Sequence, residues 1–417
     1  MRTNPFWVMA HDKAGRHAGR LERRADGVAF DYLPDYVAAD RDPVATTLPI
    51  AQPTVVTRSA GALPAFFAGL LPEGRRLSAL RTAVKTSADD ELSLLLAVGA
   101  DVVGDVQVVP AGTAPGQPEP KVSVTSFDEV RFSAIYAEVT GRSLPDRVGL
   151  PGVQEKVSAL MITLPVGLAA GRFILKLNPP ELPHLIENEA FFLQAARSSG
   201  LSAADGTLVR DRDGVVGLLV RRFDRNVDPE GHVVALAQED GCQVLGRYPA
   251  DKYNVTAAEV ALGLVSIARS RPVAARDVFR QIVFAYLTGN GDAHAKNFSV
   301  LRHTDGEWRV APAYDLPSSY FYGDHTLALR IAGRVRDDIG RSHMLALAST
   351  VGLRERAATR VIDDLVARTP SWVERIDELP FGEHRLHKFR RAVADRRERL
   401  LPRRTPRSGV SHTERSA

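Results

Sequence analysis

Between Gly289 and Asp315 the chain reads GNGDAHAKNFSVLRHTDGEWRVAPAYD. Apolar runs on either side of an HTDG turn make this two short strands joined tightly, and a hairpin there brings Asp315 back beside the loop that carries Asp292 and Asn297. Any fold of this chain must therefore hold three oxygen-bearing side chains together. Moving a γ-phosphoryl group needs little covalent chemistry beyond a base near the attacking hydroxyl and oxygens that hold Mg²⁺ against the phosphates. Asp292 suits the base, and Asn297 and Asp315 suit the metal. Each also has a plainer use, since GNGD is a good turn and Asp315, ahead of Pro317, Ser318 and Ser319, can open a turn or cap a helix. The ordered set favours the chemical reading.

With 417 residues, 44% of them apolar and 25% charged, the chain is long enough for two or three globular domains. No apolar run reaches the ~20 residues that span a bilayer, and MRTNPFWVMAHDKAGR lacks the basic-then-apolar pattern of a signal peptide, so a cytoplasmic protein without a membrane partner is expected. A single cysteine, Cys242, excludes an internal disulfide and a thiolate zinc cluster, leaving a hard, oxygen-held ion as the metal to expect. The formal charge of +4 is carried mostly by arginine and is weak evidence for an acidic partner. Lysine is scarce, which makes Lys156, Lys176 and Lys296 informative.

PAGTAPGQPEPK, residues 110–121, is a linker by composition and sets a unit spanning 1–110 apart from the rest. Within that unit, 6–57 reads as a small sheet and 64–84 and 89–98 as helices. Residues 122–222 are mostly strands. VSALMITL (157–164) and RFILKL (172–177) form a hairpin whose turn contains Gly167 and Gly171, 184–200 is a helix stopped by Gly200, and 207–223 is a second hairpin turning at Asp213 and Gly214. Helices dominate 223–400 around the Asp292 hairpin. From Arg396 apolar periodicity fades, and a basic, partly disordered tail is expected, assigned from 401 to 417.

GLPGVQEK, 149–156, is a candidate phosphate-cradling loop whose glycines let backbone N–H groups face an anion; it is equally a Pro-Gly turn into a hairpin. Lys176, inside an otherwise apolar strand, either snorkels at a sheet edge or points into a cleft to hold phosphates, the second being preferred. Glu187 and Glu189 on the following helix are both placed to fix it, and Glu189 is preferred. LLVRRFDR, 218–225, lies where a small lobe crosses to a large one, so its backbone could pair with an adenine edge and Phe223 pack on the ring; a final strand with a core Phe is the alternative.

FFAGLLPEGRR, PGVQEK, FILKL, NEAFFLQAA, RRFDR, LAQEDGCQVLGRYPADKY, GNGDAHAKNFSVL and APAYDLPSSY, in this order, resemble the HipA family of serine/threonine kinases, the toxin halves of toxin–antitoxin pairs. The resemblance covers nearly the whole chain. It implies an α+β fold of the bilobal protein-kinase kind, with a small β-rich lobe, a larger helical lobe and an extra N-terminal α/β subdomain. It implies ATP and Mg²⁺, with Asp292 as base and Asn297 and Asp315 as metal ligands. ATP contacts would come from Pro151, Gly152, Val153, Gln154, Glu155, Lys156 and Lys176, from Arg221, Arg222 and Phe223, and from His294, Ala295, Lys296 and Asn297. The implied partners are a protein substrate, an aminoacyl-tRNA synthetase by analogy, and a small helix-turn-helix antitoxin of the HipB kind that carries the contact with DNA.

One position departs from the family. Its members commonly carry a self-phosphorylated serine three residues before the glycine of the phosphate loop, and here that residue is Gly149, so self-inactivation by that route is not expected. Two other functions share part of the pattern. A small-molecule phosphotransferase of the aminoglycoside-kinase type has the same Asp, Asn and later Asp, though no evident need of the first 110 residues. A corepressor would act through a DNA-binding antitoxin, since this sequence has no convincing helix-turn-helix of its own.

Overall fold

The computed structural model describes the backbone of residues 6–10 and then residues 16–25, 27–39, 41–57, 62–87, 89–113, 122–140, 160–168, 171–228, 230, 232–336 and 338–402. The phosphate-loop candidate 149–156 and residues 403–417 lie outside this set.

An antiparallel sheet of β1 (Phe6–Ala10), β2 (Arg16–Arg24), β3 (Gly27–Tyr32), β4 (Thr54–Thr57) and β5 (Val106–Pro110), in the order β4-β3-β2-β1-β5, begins the fold. Its strands carry Leu21, Val28, Phe30 and Val108 into a core closed by helices Ala65–Gly69 and Glu91–Val98, where Phe30 and Phe67 rings lie 5.1 Å apart. Asp90 starts the second helix by accepting from Ser93 N–H at 3.3 Å. Helix Gly74–Val84 follows the first after a four-residue turn that contains Glu73.

A second antiparallel sheet, ordered β6-β7-β9-β8, consists of β6 (Ile162–Leu168), β7 (Gly171–Leu177), β8 (Gly206–Arg210) and β9 (Val216–Arg221). The first hairpin turns later than the sequence suggests: β6 runs through Pro165 and Gly167 and pairs Leu168 with Gly171. Proline survives there because β6 is the edge strand of this sheet, and the bridge on its outer side to Ser123 uses Gly167, whose N–H donates to Val122 O at 2.9 Å, and not Pro165. Phe132, Ile135, Leu164 and Leu175 fill the core of this sheet. Helix Leu185–Ser198 packs behind it and stops where Gly200, at φ 78°, takes the left-handed conformation.

The large helical part is built on helix Arg271–Thr288, which is buried along most of its length among helices Ala257–Ile267, Glu355–Val373 and Glu383–Leu400. A three-stranded sheet sits on it, β12 (Gln238–Asp240), β13 (Ser299–Arg302) and β14 (Trp308–Val310), with Val300 opposite Val310 across the hairpin. The two short strands β10 (Arg225–Val227) and β11 (Val233–Ala235) complete the set. At the C-terminal end, the expectation of a tail from Arg396 is corrected. The last helix continues to Leu400, and Arg396 is buried, its guanidinium over the rings of Tyr286 and Tyr320 at 5.8 and 5.6 Å. Leu386, Phe389, Val393, Arg396 and Leu400 form one helical stripe in which the arginine, stacked on aromatic faces, occupies an apolar position.

Candidate active site

Helix Arg271–Thr288 ends at Gly289, whose φ of 65° turns the chain sharply into the loop. At Gly291 a Cβ would stand 2.5 Å from both Ser319 Oγ and Thr326 O, so only glycine lets the loop lie this close to the segment after Asp315. Asn290 joins the two: its Oδ1 accepts from Asp292 N–H at 3.1 Å while its Nδ2 donates to Asp315 O at 3.0 Å. Asp292 is buried, and its Oδ1 accepts from the Tyr253 hydroxyl at 2.7 Å. Asn297 closes the loop by donating from Nδ2 to Asp292 O at 3.2 Å, so its amide oxygen is the atom left to accept.

Asp315 arrives from β14 in a left-handed conformation, φ 52°, which a residue with a Cβ seldom adopts. Its carboxylate pairs with Lys176 Nζ and keeps 40% of its side chain exposed, so an oxygen remains open to a ligand. Lys176, one residue from the end of β7, thus points into the cleft rather than off a sheet edge. Glu189, the helix carboxylate preferred from the sequence, receives the same ammonium at 2.7 Å. Glu187 is engaged elsewhere, accepting from Asn178 at 2.9 Å. Burial alone would favour the neutral amine at Lys176, but Asp315 and Glu189 outweigh it and hold the lysine charged, above its usual range. Asn188, next on the helix, both donates to Ser318 O at 2.9 Å and accepts from Ser318 N–H at 3.0 Å, pinning the chain just past Asp315.

One amide oxygen at Asn297 and one open carboxylate at Asp315 form a donor set suited to Mg²⁺, which commonly takes one or two protein carboxylates and completes its shell with phosphate and water. Fixing Asn297 by its nitrogen keeps its oxygen for a hard cation.

The remaining site candidates divide. His294 is buried and edge-on to Tyr253, ring centroids 5.2 Å apart, and the Ala295 N–H donates to Lys252 O at 3.1 Å, so both belong to the wall of the loop. Phe223 is partly buried 5.6 Å from Tyr314, and the Arg221 guanidinium lies 5.4 Å over Phe173. Arg222 and Lys296 turn their charges away from the cleft. Arg222 bonds Asp101, Val102 O and the buried Asp224, which also accepts from Arg225 and from Gly104 N–H. Burial would raise the Asp224 carboxyl, but the two arginines drive it well below the usual carboxylate range. The backbone N–H groups of Arg221 and Arg222 are taken by Asp205 O and Arg172 O. Lys296 Nζ donates to Gly69 O at 3.0 Å and Asp240 Oδ2 at 2.8 Å. Both residues therefore tie the large part of the molecule to the N-terminal sheet unit. Sequence reasoning missed Asn188, Asn290 and Tyr253, although Asn290 was visible inside the GNGD turn.

Residues 148–373 match the HipA-like C-terminal domain and residues 12–109 the HipA N-terminal domain. Y4mE of Sinorhizobium fredii (strain NBRC 101917 / NGR234), named as a kinase, is 33% identical over 355 residues, 79% of this chain and 84% of that protein. The serine/threonine-protein kinase toxin HipA of Shewanella oneidensis is 28% identical over 334 residues, 75% of each chain. The solved Shewanella oneidensis MR-1 complex of HipA, HipB and operator DNA contains a chain that superposes with a TM-score of 0.77 at 22% identity, over 95% of this chain and 97% of that one, which is a likeness of fold. With both of its domain types present in order, and a relative this similar along most of its length, this chain belongs to the HipA family of kinases.

Proposed function

We propose that this kinase transfers the γ-phosphoryl group of ATP to a serine or threonine of another protein, with Mg²⁺ as cofactor, and serves as the toxin of a toxin–antitoxin pair. The observation that carries the reading is the single bonded constellation of Lys176, Glu189, Asp315, Asn290, Asp292 and Asn297. Lys176, held by Glu189, grips the phosphates together with the 151–156 loop. Phe223 packs on adenine beside Arg221, and His294 and Ala295 line the nucleotide from below. Asp292, steadied at Oδ1 by Tyr253, receives the hydroxyl proton. Asn297 and Asp315 hold the cofactor, which when bound neutralises charge on the phosphates.

The kinship with a HipA named as a serine/threonine kinase toxin supports a protein acceptor, and the solved HipA–HipB–DNA complex supports a small HipB-like antitoxin through which DNA is reached. An aminoacyl-tRNA synthetase is the acceptor that the family resemblance implies. The test is to incubate the purified chain with γ-labelled ATP, Mg²⁺ and a cell lysate. Label is expected on serine or threonine of a protein; label recovered instead in acid-soluble metabolites would overturn the reading in favour of a small-molecule phosphotransferase.

A further inference from the structure

The loop from Asp292 to Asn297 is not held by the large part of the molecule alone. Lys252 accepts from Ala295 N–H at its carbonyl, and the next residue, Tyr253, donates to Asp292. The ammonium of Lys252 is paired with Glu73 of the N-terminal unit. From the other side, Lys296 inside the loop donates to Gly69 O of the same unit, bonds Asp240, and lies 3.6 Å from the second oxygen of Glu73. Lys252 and Lys296 each keep only 12% of their side chains exposed.

Two ammonium groups at that depth need two carboxylates. The large part supplies Asp240, which is also occupied in capping helix Gly241–Val244 through Gln243 N–H at 2.9 Å. Glu73 supplies the other. It stands at the N-cap position of helix Gly74–Val84 yet caps nothing with its side chain; the carboxylate reaches across to the lysines instead. Its Oε1 is buried without a hydrogen bond and faces Lys296 by charge alone.

We infer that Glu73 is a positioning residue for phosphoryl transfer: through Lys252 and Lys296 the N-terminal unit sets the placement of Asp292 and Asn297. The inference rests on the kinase reading of Asp292. The N-terminal unit then completes the active site from outside the kinase lobes.

Steady-state ADP release by the full chain with Mg-ATP tests it, since small displacements of a catalytic group cost up to about a hundredfold in rate. Glu73→Gln keeps the length of the side chain and removes its charge. The expected result is a fall in kcat of about tenfold or more, with KM for ATP within about twofold, in protein that keeps the circular dichroism of the wild type. Glu73→Gln combined with Lys252→Gln should lose no more than Glu73→Gln alone, because the first change already breaks the Lys252 link. Asp42→Asn, which breaks the contact with Arg302 elsewhere between the same two parts, should leave kcat within about twofold. If Glu73→Gln does not yield folded protein, Lys252→Gln breaks the link from the opposite side and carries the same expectation. An unchanged kcat, a change confined to KM, or an equal loss in Asp42→Asn would overturn the inference. Absence of both ADP release and label transfer in the wild-type chain would instead count against the kinase reading beneath it.

Discussion

At Asp315 the backbone and the side chain call for different residues. A φ of 52° suits glycine, whereas the pairing with Lys176 requires a carboxylate, and strain of this kind gathers where function demands it. Asp315→Gly and Asp315→Ala should both lose phosphoryl transfer, yet the glycine variant should be the more stable by about 1 kcal/mol in denaturant unfolding, because it alone relieves the left-handed backbone. Equal stability would mean the conformation carries no strain. The sequence shows this site unevenly. Lys176 stood out as one charge in an apolar strand, and a helix carboxylate one turn in was a natural partner. The φ of Asp315 left no trace, since aspartate there serves a turn equally well. Arg222 and Lys296 were read as nucleotide contacts because they sit in the right motifs; their partners, Asp101 and Gly69, are remote in sequence and nothing local announces them.

Among the elements, β12 was invisible as a strand because three residues of mixed polarity carry no periodicity, yet it joins the β13–β14 hairpin to the N-terminal unit. Its Glu239 is almost fully buried and accepts from Thr46 N–H at 2.8 Å and Thr46 Oγ1 at 2.6 Å. Burial, reinforced by Asp240 and Asp105 and opposed by the Thr46 bonds, pushes its carboxyl up from 4.5 to about 7. The folded state therefore keeps a proton there that the unfolded chain has given up. Its stabilising contribution is full below the unfolded value near 4.5 and is lost as pH rises to about 7. Glu239→Gln imitates the protonated acid. Its stability relative to wild type should rise between pH 5 and 8 by up to about 3 kcal/mol, read from urea midpoints. A difference that stays flat over that range would show that Glu239 is charged throughout. The last helix teaches a similar lesson about legibility: a stripe of Leu386, Phe389, Val393 and Leu400 is broken by an arginine, and only the two tyrosines beneath it explain why the helix continues.

At the level of the whole molecule, the α+β architecture could be read from the sequence because strand-like and helical runs alternate with good turn signals and because ordered motifs resemble one family along the chain. What could not be read was how the N-terminal sheet unit relates to the rest. Its ties are single side chains crossing from one part to another: Thr46 to Glu239, Glu73 to Lys252, Arg222 and Arg225 to Asp101. They reach the segment leaving β9, strand β12, and Lys252, whose carbonyl accepts from Ala295 N–H of the Asp292 loop. Together they fasten the N-terminal sheet unit to the rest of the chain, which no composition argument reveals.

In the proposed mechanism Asp292 takes the proton from the attacking hydroxyl while Asn297 and Asp315 hold the cofactor. Single-turnover transfer from γ-labelled ATP by Asp292→Asn, an isosteric change that keeps the oxygen facing Tyr253, tests it most directly. Transfer should fall by about 10²- to 10⁴-fold while binding of Mg-ATP is retained. Transfer at the wild-type rate would contradict the account and move the chemistry away from this loop.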